Sequence, residues 1–88
     1  MTRSAKPALP DAIHDHIAID SPRSGGGMRH LLIICTAPQR WIVAERTGSV
    51  TVGLGGFRSI DGGFEVADGP RSGMVTADWR RAVVVLAR

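Results

Sequence analysis

Residues 40–54 read RWIVAERTGSVTVGL, and this stretch decides the fold. When its two halves are paired about a Thr-Gly turn, one face of the ribbon is apolar and the other is mixed, which is typical of a half-buried β-hairpin. A turn at Thr47-Gly48 sets Trp41 opposite Leu54 on the apolar face. Gly48 can supply the positive φ that a tight turn requires. The stretch therefore predicts two antiparallel strands with one face turned toward a core.

Further strands are predicted on both sides of this hairpin. Upstream, residues 31–36 read LLIICT, a continuous apolar run of strand length, as expected for a strand covered on both faces. Downstream, Asp61-Gly62 is the strongest turn signal in the chain. A turn there pairs Arg58 with Glu65 across the strands, which is a favourable charge pair. These patterns together predict an antiparallel sheet of hairpins over residues 29–67.

The N-terminal region differs in composition from the rest. Residues 1–27 contain three of the five prolines and a run of three glycines, so we interpret them as a flexible arm. Within it, Pro10 suits the first position of a helix and Asp11 complements the positive end of the helix dipole. Leu9, Ile13 and Ile17 recur at four-residue spacing. We therefore predict a short helix over residues 10–19, with residues 28–88 as the globular domain.

The C-terminal segment is compatible with two structures. Thr76 is a suitable N-cap, and from Trp79 onward apolar residues recur at positions i, i+3, i+4 and i+7, as on one face of a helix. The three consecutive valines at 83–85 favour a strand instead. The helix is preferred because the cap and the stripe agree. The predicted fold is a small single α+β domain with helices at both ends, and the alternative is a mainly β chain.

Length and composition limit what the chain can be. It has 88 residues, 43% of them hydrophobic and 22% charged, which suits one small domain with a modest core. A single cysteine excludes an internal disulfide, so Cys35 is predicted to be a small buried residue of a cytoplasmic protein. The apolar runs are far shorter than the ~20 residues that cross a bilayer, and no membrane partner is expected.

Motifs for catalysis and cofactor binding are not recognisable. Structural zinc sites use paired Cys and His ligands, and this chain has one cysteine. His14 and His16 would point in different directions on a helix. Cys35 lies in an apolar run, where burial suppresses thiol reactivity. No Gly-x-Ser-x-Gly elbow or phosphate-binding glycine loop is present. We expect no catalytic residues, no metal and no cofactor; a non-catalytic role is favoured, and the enzyme question stays open.

Arginine dominates the positive charge. Lys and Arg number 11 against 8 Asp and Glu, which gives a net charge of +3. Arginine forms paired hydrogen bonds with phosphates and stacks on bases, so nucleic acid is one candidate partner. The candidate binding residues are the aromatic-basic run Trp79, Arg80 and Arg81, with Arg40 and Arg58 as a second surface.

A protein partner is the favoured interpretation. The apolar run at 31–36, placed at an edge of a small sheet, would present unpaired backbone groups that another chain can extend. We therefore predict a small non-catalytic binding or regulatory protein that acts on a protein partner or self-associates as a homodimer. The alternatives are a nucleic-acid-binding module that uses Arg and Trp side chains, and an accessory subunit of a larger enzyme or complex.

Overall fold

A computed structural model describes residues 8–22 and 25–87 of the chain. The strands form one antiparallel sheet in chain order, curled into a half-barrel. A single helix packs inside the curl, against the last three strands. The elements are β1 (His16–Pro22), β2 (Met28–Ala37), β3 (Arg40–Thr47), β4 (Val50–Ile60), β5 (Gly63–Val66), β6 (Val75–Thr76) and α1 (Trp79–Ala87).

The chain is mostly β, so the predicted α+β fold is wrong and its mainly β alternative is supported. No helix forms within residues 8–22, where one was predicted over 10–19. Residues 16–22 instead form β1, which pairs with β2 through Ile17↔Ile33 and Ile19↔Leu31. An isolated ten-residue helix is marginal in water, whereas the two-residue spacing of Ile17 and Ile19 lets both reach the core of a sheet.

The hairpin β3–β4 forms, but not in the predicted register. Its turn lies one residue later, since Thr47 pairs with Val50. Leu54 then has no partner in the ladder, because Val43 pairs with Gly55 and Ala44 with Gly53. The bulge brings Phe57 rather than Leu54 opposite Trp41, and their rings stack with centroids 5.3 Å apart. The aromatic pair in the core thus forms together with a bulged register, which the sequence pattern of residues 40–54 does not predict.

The hairpin β4–β5 confirms its predicted register. Arg58 lies opposite Glu65, with flanking pairs Phe57↔Val66 and Ser59↔Phe64. The turn contains Gly62 with a φ of 85°. A residue with positive φ at a two-residue hairpin turn fits the right-handed twist of the strands, which is why this short signal was reliable.

Strand β2 lies inside the sheet and not at its edge. It pairs with β1 on one side and β3 on the other, so the prediction of an edge strand at 31–36 is wrong. Leu31, Ile33 and Cys35 are buried in the core, while the alternate residues Leu32 and Ile34 lie half-buried on the outer face. The edges of the sheet are β1 and β6.

The core occupies the concave side of the sheet. Three aromatic rings, those of Trp41, Phe57 and Phe64, pack against one another within 6.1 Å of each other. The indole N–H of Trp41 donates to the Pro10 carbonyl at 2.7 Å and fixes the segment before β1 over this end of the core. Helix α1 closes the other side with four buried residues, Ala82, Val83, Val85 and Leu86.

Helix α1 forms where the apolar stripe predicted it, but Asp78 caps it in place of Thr76. The Asp78 carboxylate accepts a hydrogen bond from the Arg81 backbone N–H at 2.9 Å, which is the N-cap interaction. Burial of Val83 and Val85 outweighs the strand preference of the valine run. No helix within residues 8–22 and 25–87 is long and apolar enough to cross a membrane.

Candidate functional site

The five predicted binding residues do not form one surface. Arg40 and Arg58 face each other on the outer side of the sheet, since Phe57, next in sequence, points into the core. Trp79 and Arg80 lie on α1, on the opposite, concave side. The Arg80 guanidinium lies 4.9 Å from the centre of the Trp79 ring, so these two side chains already contact each other.

The described residues carry no excess of positive charge. They contain seven arginines and eight acidic residues. Two of the arginines are already in ion pairs, Arg29 with Glu45 and Arg58 with Glu65. A face that binds a nucleic-acid backbone needs clustered, unpaired cations. The arginine count alone therefore indicates no phosphate-binding surface on this part of the chain.

The two edges of the sheet differ in how they are protected. Strand β1 carries His16, Asp20 and a terminal Pro22, the polar and proline residues that discourage pairing with another chain. Strand β6 carries neither a charged residue nor a proline, and Val75 at its start is 59% exposed. Met74, directly before it, is also largely exposed. The β6 edge is therefore the one that is open to a further strand.

The backbone of β6 presents hydrogen-bonding groups to solvent. The Met74 carbonyl accepts from the Val66 N–H at 2.8 Å, so residue 74 faces β5, and Thr76 pairs with Phe64. Alternate residues of an antiparallel strand direct their N–H and C=O groups to opposite sides. Val75 therefore directs its own N–H and C=O away from β5, toward the space beside the helix.

A groove of about 730 Å³ runs between this edge and α1. That volume lies in the range of protein binding sites. Its lining is mainly apolar and contains no acidic residue, being formed by Met74, Val75, Thr76, Ala77, Arg81, Val84 and Val85. An extended chain laid along β6 would thus meet an apolar wall on its helix side.

Helix α1 supplies both an apolar and a cationic group to the groove. Val84 is 48% exposed although it lies in the middle of the helix. The side chain of Arg81 is exposed and makes no hydrogen bond or ion pair with any residue in the described ranges. An unpaired guanidinium at the edge of an apolar groove is suited to a carboxylate ligand.

The helical wall is fixed at its C-terminal end by Arg29. Its guanidinium donates to the Glu45 carboxylate from Nε at 3.0 Å and from Nη2 at 2.6 Å, and from Nη1 to the Ala87 carbonyl. This cation at the helix C-terminus complements the dipole and satisfies a terminal carbonyl. Hydrogen bonding to Glu45 raises the pKa of Arg29. We call the set Arg29, Glu45 and Ala87 the Arg29 latch.

Sequence reasoning found Arg81 but missed Met74, Val75 and Val84. One signal was available: Val84 is apolar yet falls outside the helical stripe of Trp79 and the residues that follow it at core spacing. An apolar residue on the polar side of a short helix indicates a contact beyond the core. For Met74 and Val75 the pattern gave no indication, because a two-residue strand has no periodicity to recognise.

Comparisons with protein-family models, with curated proteins and with solved structures find no match for this chain. Among the residues that the structure describes, no three His, Cys, Asp or Glu side chains converge as a metal site would require. The groove and its chemistry are therefore the features of this chain that bear on its function.

Proposed function

We propose that this chain is a non-catalytic protein-binding module that accepts an extended segment of a partner protein as an added strand along β6. The observation that carries the proposal is the coincidence of two features: an unprotected sheet edge and an apolar groove beside it. In strand addition, backbone hydrogen bonds provide affinity and the pockets for alternate side chains provide specificity. The β6 edge offers the backbone hydrogen bonds, and the wall of α1 offers the contacts for alternate side chains.

The chemistry of the groove defines the partner segment. Alternate side chains of an added strand point to opposite faces, so every second residue of the segment would contact Val84 and Val85. These residues favour aliphatic or aromatic side chains. Arg81 favours an acidic residue at one end, since no acidic residue of this chain lines the groove. The expected partner segment is extended, apolar at alternate positions and acidic near Arg81.

A foreign segment accounts for the groove better than a second copy of this chain does. Two β6 strands related by a two-fold axis would share only the residues Val75–Thr76, a ladder too short for the area that a stable dimer buries. Two copies would also bring their Arg81 residues together without an acid in the groove to separate them. The cytoplasmic location drawn from the single cysteine remains a prediction beside this proposal.

Val75→Pro tests the proposal directly. Proline removes the N–H that Val75 directs away from β5, and its ring is tolerated on an edge strand where that group faces solvent. The full chain is used to select binders from a displayed library of random linear peptides, and the dissociation constants of the enriched peptides are then measured. We expect enriched peptides with alternating apolar residues and an Asp or Glu, and at least tenfold weaker binding to Val75→Pro.

Two further variants control for loss of folding and for nonspecific binding. Val75→Thr keeps the edge N–H, so its peptide dissociation constants should lie within about threefold of those of the original chain. Val50→Thr is the control for loss of an exposed valine, because Val50 is 57% exposed against 59% for Val75 and lies far from the groove. Arg81→Gln should weaken the binding of acidic peptides about fivefold at low salt. Unchanged binding to a folded Val75→Pro, or enriched acidic peptides whose binding Arg81→Gln leaves unchanged, would refute the proposal.

A further inference from the structure

A second group of charged residues lies on the outer face of the sheet, on the side opposite α1. Arg40 at the start of β3 lies directly opposite Arg58 on β4, and Arg58 lies directly opposite Glu65 on β5. Directly opposed side chains on one face have Cβ atoms about 5 Å apart, and like charges at such positions are destabilising. Two adjacent strands thus place two arginines at directly opposed positions, an arrangement that costs stability.

The negative charge in this row neutralises only one of them. Glu65 accepts a hydrogen bond from Arg58 Nε at 2.7 Å and forms an ion pair with Arg58 Nη2 at 2.5 Å. Arg40 makes no hydrogen bond or ion pair with any residue of the described ranges through its side chain. The row of Arg40, Arg58 and Glu65 therefore has one guanidinium without a carboxylate.

The row forms one wall of a small cleft. The cleft measures about 220 Å³ and is closed on the other side by the segment between β5 and β6, through Ala67, Ser72 and Gly73. That segment is held in place, because the Gly73 N–H donates to the Val66 carbonyl at 2.7 Å and the Ser72 hydroxyl to the Ala67 carbonyl at 3.0 Å. The backbone of Gln39, just before Arg40, has a φ of 65°, a conformation that non-glycine residues rarely adopt. The two arginines thus face a fixed wall across a space large enough for a small ligand.

We infer that this cleft binds a carboxylate, held between Arg40 and Arg58 in the way that Glu65 is already held by Arg58. Charge counting selects this ligand class: one carboxylate neutralises the row, whereas a doubly charged phosphate would leave an excess of negative charge beside Glu65. The carboxylate can come from a small organic acid or from an acidic side chain of a protein. The inference does not depend on the groove at β6, since the two sites lie on opposite faces of the sheet.

Nuclear magnetic resonance on the full, isotope-labelled chain tests the inference. The signals followed are the side-chain Nε–H groups of Arg40 and Arg58 and the backbone amide of Gly73. Sodium acetate is titrated against sodium chloride at equal ionic strength, with inorganic phosphate in a parallel series. We expect saturable shifts with acetate only, and about fivefold weaker binding to Arg40→Gln, the upper end of what one exposed ion pair contributes.

Arg46→Gln is the matched control. Arg46 lies on the same face of the same strand, but its neighbours in the register are His30 and Thr51 and not a second arginine. This variant should bind acetate as the original chain does. Equal shifts in chloride, unchanged binding in a folded Arg40→Gln, or tighter binding of phosphate than of acetate would overturn the assignment.

A capped tri-glutamate peptide, compared with tri-glutamine, identifies the source of the carboxylate. Tighter binding of tri-glutamate than of acetate assigns the cleft to an acidic protein segment, and equal binding assigns it to small acids. Either result supports a carboxylate site. Equal binding of the two peptides would count against it.

Discussion

Removing the Arg29 latch should destabilise the fold through the helix that forms the groove wall. The perturbation is Arg29→Met, which keeps the length and apolar stem of the side chain and removes its three hydrogen bonds to Glu45 and Ala87. The side chains of Arg29 and Glu45 are 22% and 17% exposed, so the pair is partly shielded from solvent. Breaking a buried ion pair costs about 3–5 kcal/mol and an exposed pair at most about 1. We therefore expect a loss of about 2 kcal/mol.

That loss is large for a chain of this size, whose total stability is on the order of 5 kcal/mol. With a urea dependence of about 1–2 kcal/mol per molar, the midpoint of unfolding should fall by roughly 1–2 M. Arg29→Lys keeps the charge but not the paired geometry, and should recover about half of the loss. Because the pKa of Arg29 is raised, the contribution of Arg29 to stability is fully present below the ordinary pKa of arginine. That contribution disappears only as the pH rises through the raised pKa. The effect of Arg29→Met should therefore be equal at about pH 7 and pH 10.

Urea unfolding followed by circular dichroism measures the total effect, and amide hydrogen exchange at residues 85–87 locates it. Arg58→Met is the control, because the Arg58 and Glu65 side chains are 44% and 26% exposed and their pair should contribute less than about 1 kcal/mol. A double-mutant cycle with Glu45→Gln should give a coupling energy of about 1 kcal/mol or more. A loss below about 0.5 kcal/mol, or a coupling energy near zero, would refute the latch.

Two other predictions concern the backbone and the thiol. Gly63→Ala places a Cβ against the Thr76 carbonyl, so it should displace β6 and lower the free energy of unfolding by about 2 kcal/mol. Gly53→Ala is the control, because its Cβ meets nothing within 4 Å, and it should lower the free energy of unfolding by less than about 0.5 kcal/mol. Urea unfolding of both variants measures the difference. Cys35 is 0% exposed, so a thiol reagent should label the native chain only at the rate of opening, and fast labelling in native buffer would contradict this burial.

The sequence allowed good predictions where local chemistry and the fold agree. The β4–β5 hairpin follows from a two-residue turn with glycine, and α1 follows from an apolar stripe with a cap, so both were predictable from short stretches. The burial of Cys35 was also predicted and is confirmed. In each case the residues that determine the structure are neighbours in the chain.

Predictions failed where residues distant in the sequence determine the local structure. Ile17 fits a helical stripe with Ile13 and equally fits strand alternation with Ile19, and only its pairing with Ile33 on β2 decides between them. The bulge at Leu54 has the same origin, since it forms with the stacking of Trp41 and Phe57. The groove at β6 depends on where the sheet ends, which no local pattern records.

The open edge of the sheet and the completed core have a single cause. A curled sheet of six strands could remove both edges by pairing β1 with β6, as a closed barrel does. Helix α1 prevents this, because it stands between the two edges: one side of it lies beside Ile19 and Pro22 of β1, the other beside Val75 of β6, and Val84 borders both. The same nine residues also supply the buried side chains that fill the concave face. The chain therefore cannot complete its core with this helix and close its sheet as well. The free β6 edge follows from how a small sheet is stabilised, and in the proposed strand addition the apolar, cationic surface beside that edge would select the partner segment.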